Sequence, residues 1–230
     1  MLHKDAARAL SEEIGTLLSP LCGVVGLYEL TREAMMLARP GPSSGKSDSW
    51  SMLPFLVCEA LSGDWKKIVP AAVAIEFFKA AAEVFDDAED ADAPASLASK
   101  YGISTAINVA TTLLILGEKA FARLRETGVA ESEIVYILDV FNSYFLTACA
   151  GQYFDLAAGP GAVSSEEMYL GAMEMKSGAP LECVCWLGAT LAGASRSVIG
   201  LFSKFGLSLG IAVQIANDIH GILAASDLTC

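Results

Sequence analysis

Apolar residues recur every three to four positions almost from end to end of the chain, and β-branched alternation of period two is scarce. With abundant Ala, Leu, Glu and Met, this pattern predicts an all-α fold. The spacing predicts helices over residues 2–18 and 21–38, divided at Ser19-Pro20, where proline suits a helix start. Residues 39–50, RPGPSSGKSDSW, read as the one long polar loop. Further helices are expected over 50–61, from 65 into the aspartates near 86–92, over 103–127 with Gly128 as the cap, and over 132–158 up to Gly159-Pro160-Gly161. Ser164 and Glu167 have the spacing of a capping box for a short helix. Lys176-Ser177-Gly178 reads as a break before a helix over 179–202, and the last helix is expected over 207–225. No linker is long enough to hold separate cores apart, so residues 1–230 are expected to form one domain, a bundle of long helices.

Composition narrows the setting. Hydrophobic residues make up 53% of the chain and the mean hydropathy is +0.48, yet polar residues interrupt every run of about 20, so no membrane span is expected. The N-terminal MLHKDAARALSEEIG lacks the basic start and apolar run of a signal peptide, and a cytoplasmic protein is expected. The net charge of −12 excludes nucleic acid and anionic membrane surfaces as partners. The six cysteines, Cys22, Cys58, Cys149, Cys183, Cys185 and Cys230, sit in apolar surroundings without a C-x-x-C pair and read as buried free thiols. His3 and His220 do not make a metal cage, and no nucleophile triad or glycine-rich phosphate loop stands out.

The candidate chemistry is carboxylate chemistry. An apolar helical stretch runs without a breaker into Asp86-Asp87-x-x-Asp90, so Asp86 and Asp90 share a face with Asp87 beside them. Such carboxylates repel one another unless a cation joins them, and Mg²⁺ binds through one or two carboxylates, leaving positions for water and substrate phosphate. Alone, the cluster reads equally well as a solvated acidic helix end. Two further apolar helices carry polar pairs, however: Gln152 with Asp155, and Gln214 with Asn217 and Asp218. Helix bundles build metal sites from inward side chains on facing helices, and three such clusters together favour that reading. Lys176 offers an ammonium and Ser177 a hydroxyl at the expected break.

In this order the motifs resemble those of the trans-prenyltransferases, the polyprenyl synthetase family of isoprenoid synthases. DDxxD is matched by Asp86, Asp87 and Asp90, GQxxDL by Gly151 to Leu156, a Lys-Thr pair by Lys176-Ser177, and the second acidic motif by Gln214 to Asp218. The resemblance implies a helical bundle around a central cavity with the two acidic motifs facing each other across its mouth. It implies two or three Mg²⁺ ions bound with an allylic prenyl diphosphate by Asp86, Asp87, Asp90, Asn217 and Asp218. Their charge would stabilise the departing diphosphate and leave an allylic carbocation. Gln152, Lys176, Ser177 and Gln214 would serve the chemistry, and Lys46, Ala81, Ala82, Phe85, Asp155 and Lys176 would contact the substrate. A homodimer is implied as well.

The acceptor stays open between isopentenyl diphosphate and a peptide. The family's arginine-rich stretch is reduced here to Lys46 in Gly45-Lys46-Ser47-Asp48-Ser49-Trp50, and ADAPASLASKYG after the first motif contains no arginine. These losses, with SKYGISTAINVATTLL, resemble the ComQ-like branch, which prenylates a peptide. Asn217-Asp218 also resembles the N-D motif of class I terpene cyclases, although Gly221 and Ala225 stand where their later ligands would be. A catalytically weak partner subunit is the third reading. The chain ends soon after Asp218, short of the C-terminal helices that the resemblance leads one to expect. Aromatic residues four and five positions before the first motif would floor the cavity, and Ala82 and Ala81 there imply room for longer prenyl chains.

Overall fold

A computed structural model describes residues 2–38, 50–61, 63–90, 94–158 and 165–227, with the side chains of 2, 3, 90, 158 and 221–227 set aside. Lys46, Ser164 and Cys230 lie outside the described residues, as does the side chain of Asp90. Every regular element among the described residues is helical, as the period of the apolar positions predicts. The chain divides into two compact units, Met1–Tyr136 and Ile137–Cys230.

The first unit holds α1 (Leu2–Leu18), α2 (Val25–Leu37), α3 (Leu53–Ala60), α4 (Val69–Asp90), α5 (Leu97–Tyr101) and α6 (Ile103–Ala122). Its centre is α4 against α6. Ala71 to Ala74, Phe77 and Ala81 on α4 and Ala106, Val109, Ala110, Leu113 and Ala120 on α6 are fully buried. Gly117 of α6 lets the Phe78 ring lie where a Cβ would come within 2.5 Å of it. Arg123 clamps Glu13 of α1 through two donors and pairs with Glu126 at 3.0 Å. Asp64 caps the turn leading into α4 by accepting from the Lys66 amide. Ser96 caps α5 by accepting from Ser99 N–H, and Gly102, at φ +86°, turns the chain from α5 into α6. The expected cap at Gly128 is present, in the left-handed conformation.

The second unit comprises residues 137–158 of α7 (Glu131–Ala158), then α8 (Glu166–Met173), α9 (Ala179–Leu191) and α10 (Arg196–Asp227). Three expectations are corrected here. The cap of α8 is Ser165, which accepts from the Met168 amide. Lys176-Ser177-Gly178 is no break: Glu174–Gly178 is a π-helical turn that joins α8 to α9. The stop falls instead at Gly193, whose φ of +75° only glycine adopts without strain, so α10 begins at Arg196 and passes through the expected gap near 202–207. The thiols divide as well: Cys58, Cys183 and Cys185 are buried, but Cys22 and Cys149 are exposed. By length and composition α7 over Glu131–Ala157 and α10 over Arg196–His220 are apolar enough to cross a membrane. The sequence reading did not anticipate this, because it gave weight to the polar clusters that interrupt both helices.

Candidate active site

The acidic motif of the first unit ends α4. Asp86 and Asp87 are half-buried in its final turns, and the last turn contains no basic residue. The C-terminus of a helix carries the negative end of its macrodipole, so carboxylates there stand in an unfavourable field as well as repelling one another. A dication offsets both effects, and the hard oxygen donors suit Mg²⁺. Of the two alanines before the motif, Ala81 is fully buried while Ala82 is exposed, so they do not line one surface; Phe85 is half-buried. Two cavities of this unit lie elsewhere. One of about 280 Å³ is walled by Leu17, Pro20 and Arg123, and another of about 360 Å³ by Leu27, Leu30 and Asn108.

In the second unit three sequence-distant motifs meet at the π turn. Ser177 is 9% exposed and its hydroxyl donates to Gln214 Oε1 at 2.8 Å. That fixes the Gln214 amide, whose Nε2 donates to Asp218 Oδ1 at 2.8 Å, one turn further along α10 on the same face. Lys176 Nζ donates to Asp155 Oδ2 of α7 at 2.8 Å. Gln152 is half-buried and Asn217 exposed. Among the described residues no three His, Cys, Asp or Glu side chains gather into a metal cage, so a cation here would take some of its shell from water and substrate.

Glycines allow this convergence. A Cβ on Gly151 of α7 would lie 2.4 Å from the Lys176 backbone nitrogen, and one on Gly210 of α10 would lie 2.3 Å from the Ser177 carbonyl oxygen. Gly206, one turn earlier, approaches the Leu181 carbonyl just as closely. Two helices thus press backbone to backbone on the turn that carries Lys176 and Ser177. Gly151, the first residue of GQxxDL, is there for space.

Tyr169 of α8 was not anticipated. Its hydroxyl donates to Asp218 Oδ2 across 49 positions of sequence. That bond, followed by burial and the charges of Asp218 and Asp155, pushes the Tyr169 hydroxyl up to about 12. Its sequence signal is slight, a polar-tipped ring two turns before Lys176. Deeper in the unit, Tyr144 donates to Glu182 Oε1 at 3.2 Å. Burial, reinforced by Glu174, raises the Glu182 pKa against the opposing bond from Tyr144.

The Polyprenyl synthetase family profile matches residues 44–228, across both units. The chain belongs to the polyprenyl synthetase family. A geranylgeranyl diphosphate synthase of Methanosarcina mazei is 26% identical over 228 residues, covering 97% of this chain and 68% of its own length. The tryptophan prenyltransferase ComQ of Bacillus subtilis subsp. natto is 32% identical over 158 residues, covering 68% of this chain and 46% of its own. Among solved structures, the geranylgeranyl pyrophosphate synthetase of Geoglobus acetivorans superposes with a TM-score of 0.81 at 26% identity, over 96% of this chain and 70% of that one. The chain thus spans between about half and two thirds of the length of these family members, and its fold is the helical fold of the isoprenoid synthases.

Proposed function

We propose that the chain is a Mg²⁺-dependent prenyl transferase that binds an allylic prenyl diphosphate and ionises it for transfer to an acceptor. The observation that carries this is the meeting of Lys176-Asp155 and Ser177-Gln214-Asp218 at one turn, in a chain whose family match runs through both units. Asp86, Asp87 and Asp90 hold Mg²⁺ at the end of α4, and Asp218, with Asn217 beside it, holds Mg²⁺ on α10. When bound, Mg²⁺ supplies positive charge to the departing diphosphate. Lys176, which donates to Asp155, brings an ammonium to the turn that would meet a phosphate oxygen. Ser177 acts through Gln214, since its single proton goes there.

A peptide acceptor, as the second reading beside isopentenyl diphosphate, is favoured by the absence of arginine from residues 91–102 and by the likeness to ComQ. Residues 1–230 work as one synthase domain in the cytoplasm. Gln214 and Asp218, well inside α10, suit a helix that lines a polar site better than one in lipid. A homodimer would cover the exposed Ile103, Ile107 and Ile115 of α6.

Incubation with geranyl, farnesyl and geranylgeranyl diphosphates, with and without Mg²⁺ and isopentenyl diphosphate, tests the reading. Mg²⁺-dependent release of inorganic diphosphate supports it, with longer diphosphates identifying isopentenyl diphosphate as acceptor. Hydrocarbon products would show a cyclase, and no Mg²⁺-dependent release with isopentenyl diphosphate or with an acceptor peptide present would leave only a partner subunit.

A further inference from the structure

We infer that Tyr169 is a positioning residue for Asp218: its hydroxyl holds the carboxylate so that a lone pair on each oxygen stays directed at a cation. The inference rests on the reading of Asp218 as a Mg²⁺ ligand and goes beyond it by assigning a residue that no motif contains.

The geometry of the donors carries it. Asp218 receives Tyr169 on Oδ2 and Gln214 on Oδ1, and each carboxylate oxygen has two lone pairs. One donor per oxygen therefore fixes the plane of the carboxylate and leaves one lone pair per oxygen unused. Both donors are themselves fixed. Gln214 is held by Ser177, and Tyr169 projects from α8, which leads directly into the π turn. Ligating carboxylates are commonly oriented by such outer hydrogen bonds, whose loss weakens metal affinity about 10–100-fold. Asp218 lies within α10 rather than at its end, so its orientation depends on these side-chain donors rather than on a capping backbone.

The test is calorimetric titration of Mn²⁺ in the presence of inorganic pyrophosphate into the whole chain and its Tyr169→Phe, Asp218→Asn and doubly substituted forms. Tyr169→Phe keeps the ring and removes one oxygen. It is expected to weaken Mn²⁺ binding about 10–100-fold, with the thermal midpoint near the parent's and the Mg²⁺ needed for half-maximal turnover raised by the same factor. In the Asp218→Asn background the same change should have no further effect. Parent-like Mn²⁺ affinity in Tyr169→Phe would overturn the inference while leaving the metal reading intact, provided that Asp218→Asn itself loses affinity. An equal loss from Tyr169→Phe in both backgrounds would reduce Tyr169 to a structural contact. Unchanged Mn²⁺ binding in Asp218→Asn would overturn the metal reading and the inference with it.

Discussion

The two acidic motifs, proposed above to hold Mg²⁺, are built in different ways. Asp86 and Asp87 stand at the end of a helix anchored by apolar burial, with the negative end of the helix beneath them. Asp218 stands within a helix, with both oxygens engaged by neutral donors whose own positions depend on close backbone packing. The first arrangement is held in place by a hydrophobic core and sharpened by repulsion. The second is held by hydrogen bonds that fail if three helices separate by an ångström. Substitutions of Asp86 or Asp87 should therefore change metal binding with little effect on the fold, whereas substitutions of Asp218 or of the glycines at the π turn should change both together.

The largest expected effect is on turnover. Asp86→Ala and Asp218→Ala should each reduce Mg²⁺-dependent diphosphate release by at least about 100-fold, the scale of losing one electrostatic stabiliser of a departing group. They should differ in stability. Asp86→Ala relieves repulsion and should leave the thermal midpoint equal to or above the parent's without Mg²⁺, while Asp218→Ala strands the Tyr169 and Gln214 donors and should lower it. Thermal scans without metal that ranked the two variants in the opposite order would break the comparison.

Next come the glycines. Gly210→Ala and Gly151→Ala drive a methyl group into backbone that cannot step aside, and each should lower stability by about 1–3 kcal/mol. Gly117→Ala meets the Phe78 ring at 2.5 Å and the Ala74 carbonyl oxygen only at an ordinary 3.5 Å. A ring can rotate, and the gain in helix propensity of about 0.5–1 kcal/mol offsets some of the strain, so its urea midpoint should stay near the parent's. Equal losses at Gly117 and Gly210 would mean that ring and backbone are equally unyielding.

Substrate length is a smaller effect. Each further buried methylene is worth about 0.8 kcal/mol, so affinity should rise from geranyl to geranylgeranyl diphosphate. Ala82→Phe should remove that preference, because Ala82 is the exposed member of the pair, whereas Ala81 is sealed in the core and a ring there would disrupt packing instead. Tightest binding of geranyl diphosphate by the parent would contradict this.

The smallest effect concerns pH in the second unit. Burial raises the Glu182 pKa, so the folded chain holds that proton to higher pH than the unfolded chain does. This group's contribution is most favourable at and below the ordinary carboxylate range, and it is lost as pH rises through the raised value. Glu182→Gln cannot lose a proton. Its urea midpoint should therefore gain on the parent's as pH rises from about 4.5 to neutrality, and a difference that shrank over this range would reverse the assignment.

Most of the helices were legible from period alone, since burying one face of each helix sets where apolar residues must fall. What escaped was set by contacts between distant segments. Lys176-Ser177-Gly178 looked like a break because small and polar residues interrupt the pattern, yet the chain continues by widening one turn. The boundary expected near 202–207 is absent; Gly206 and Gly210 are spacers within α10, where the carbonyls of Leu181 and Ser177 press against it. Gln214 and Asp218 could be paired from their i, i+4 spacing. Tyr169 could not, because nothing local marks a partner 49 residues away.

The most direct test of the account is calorimetric titration of farnesyl diphosphate into the whole chain, once with millimolar Mg²⁺ and once with a chelator. If metal holds the diphosphate, binding should be measurable with Mg²⁺ and fall at least about 100-fold without it. Equal affinity under the two conditions would contradict the account.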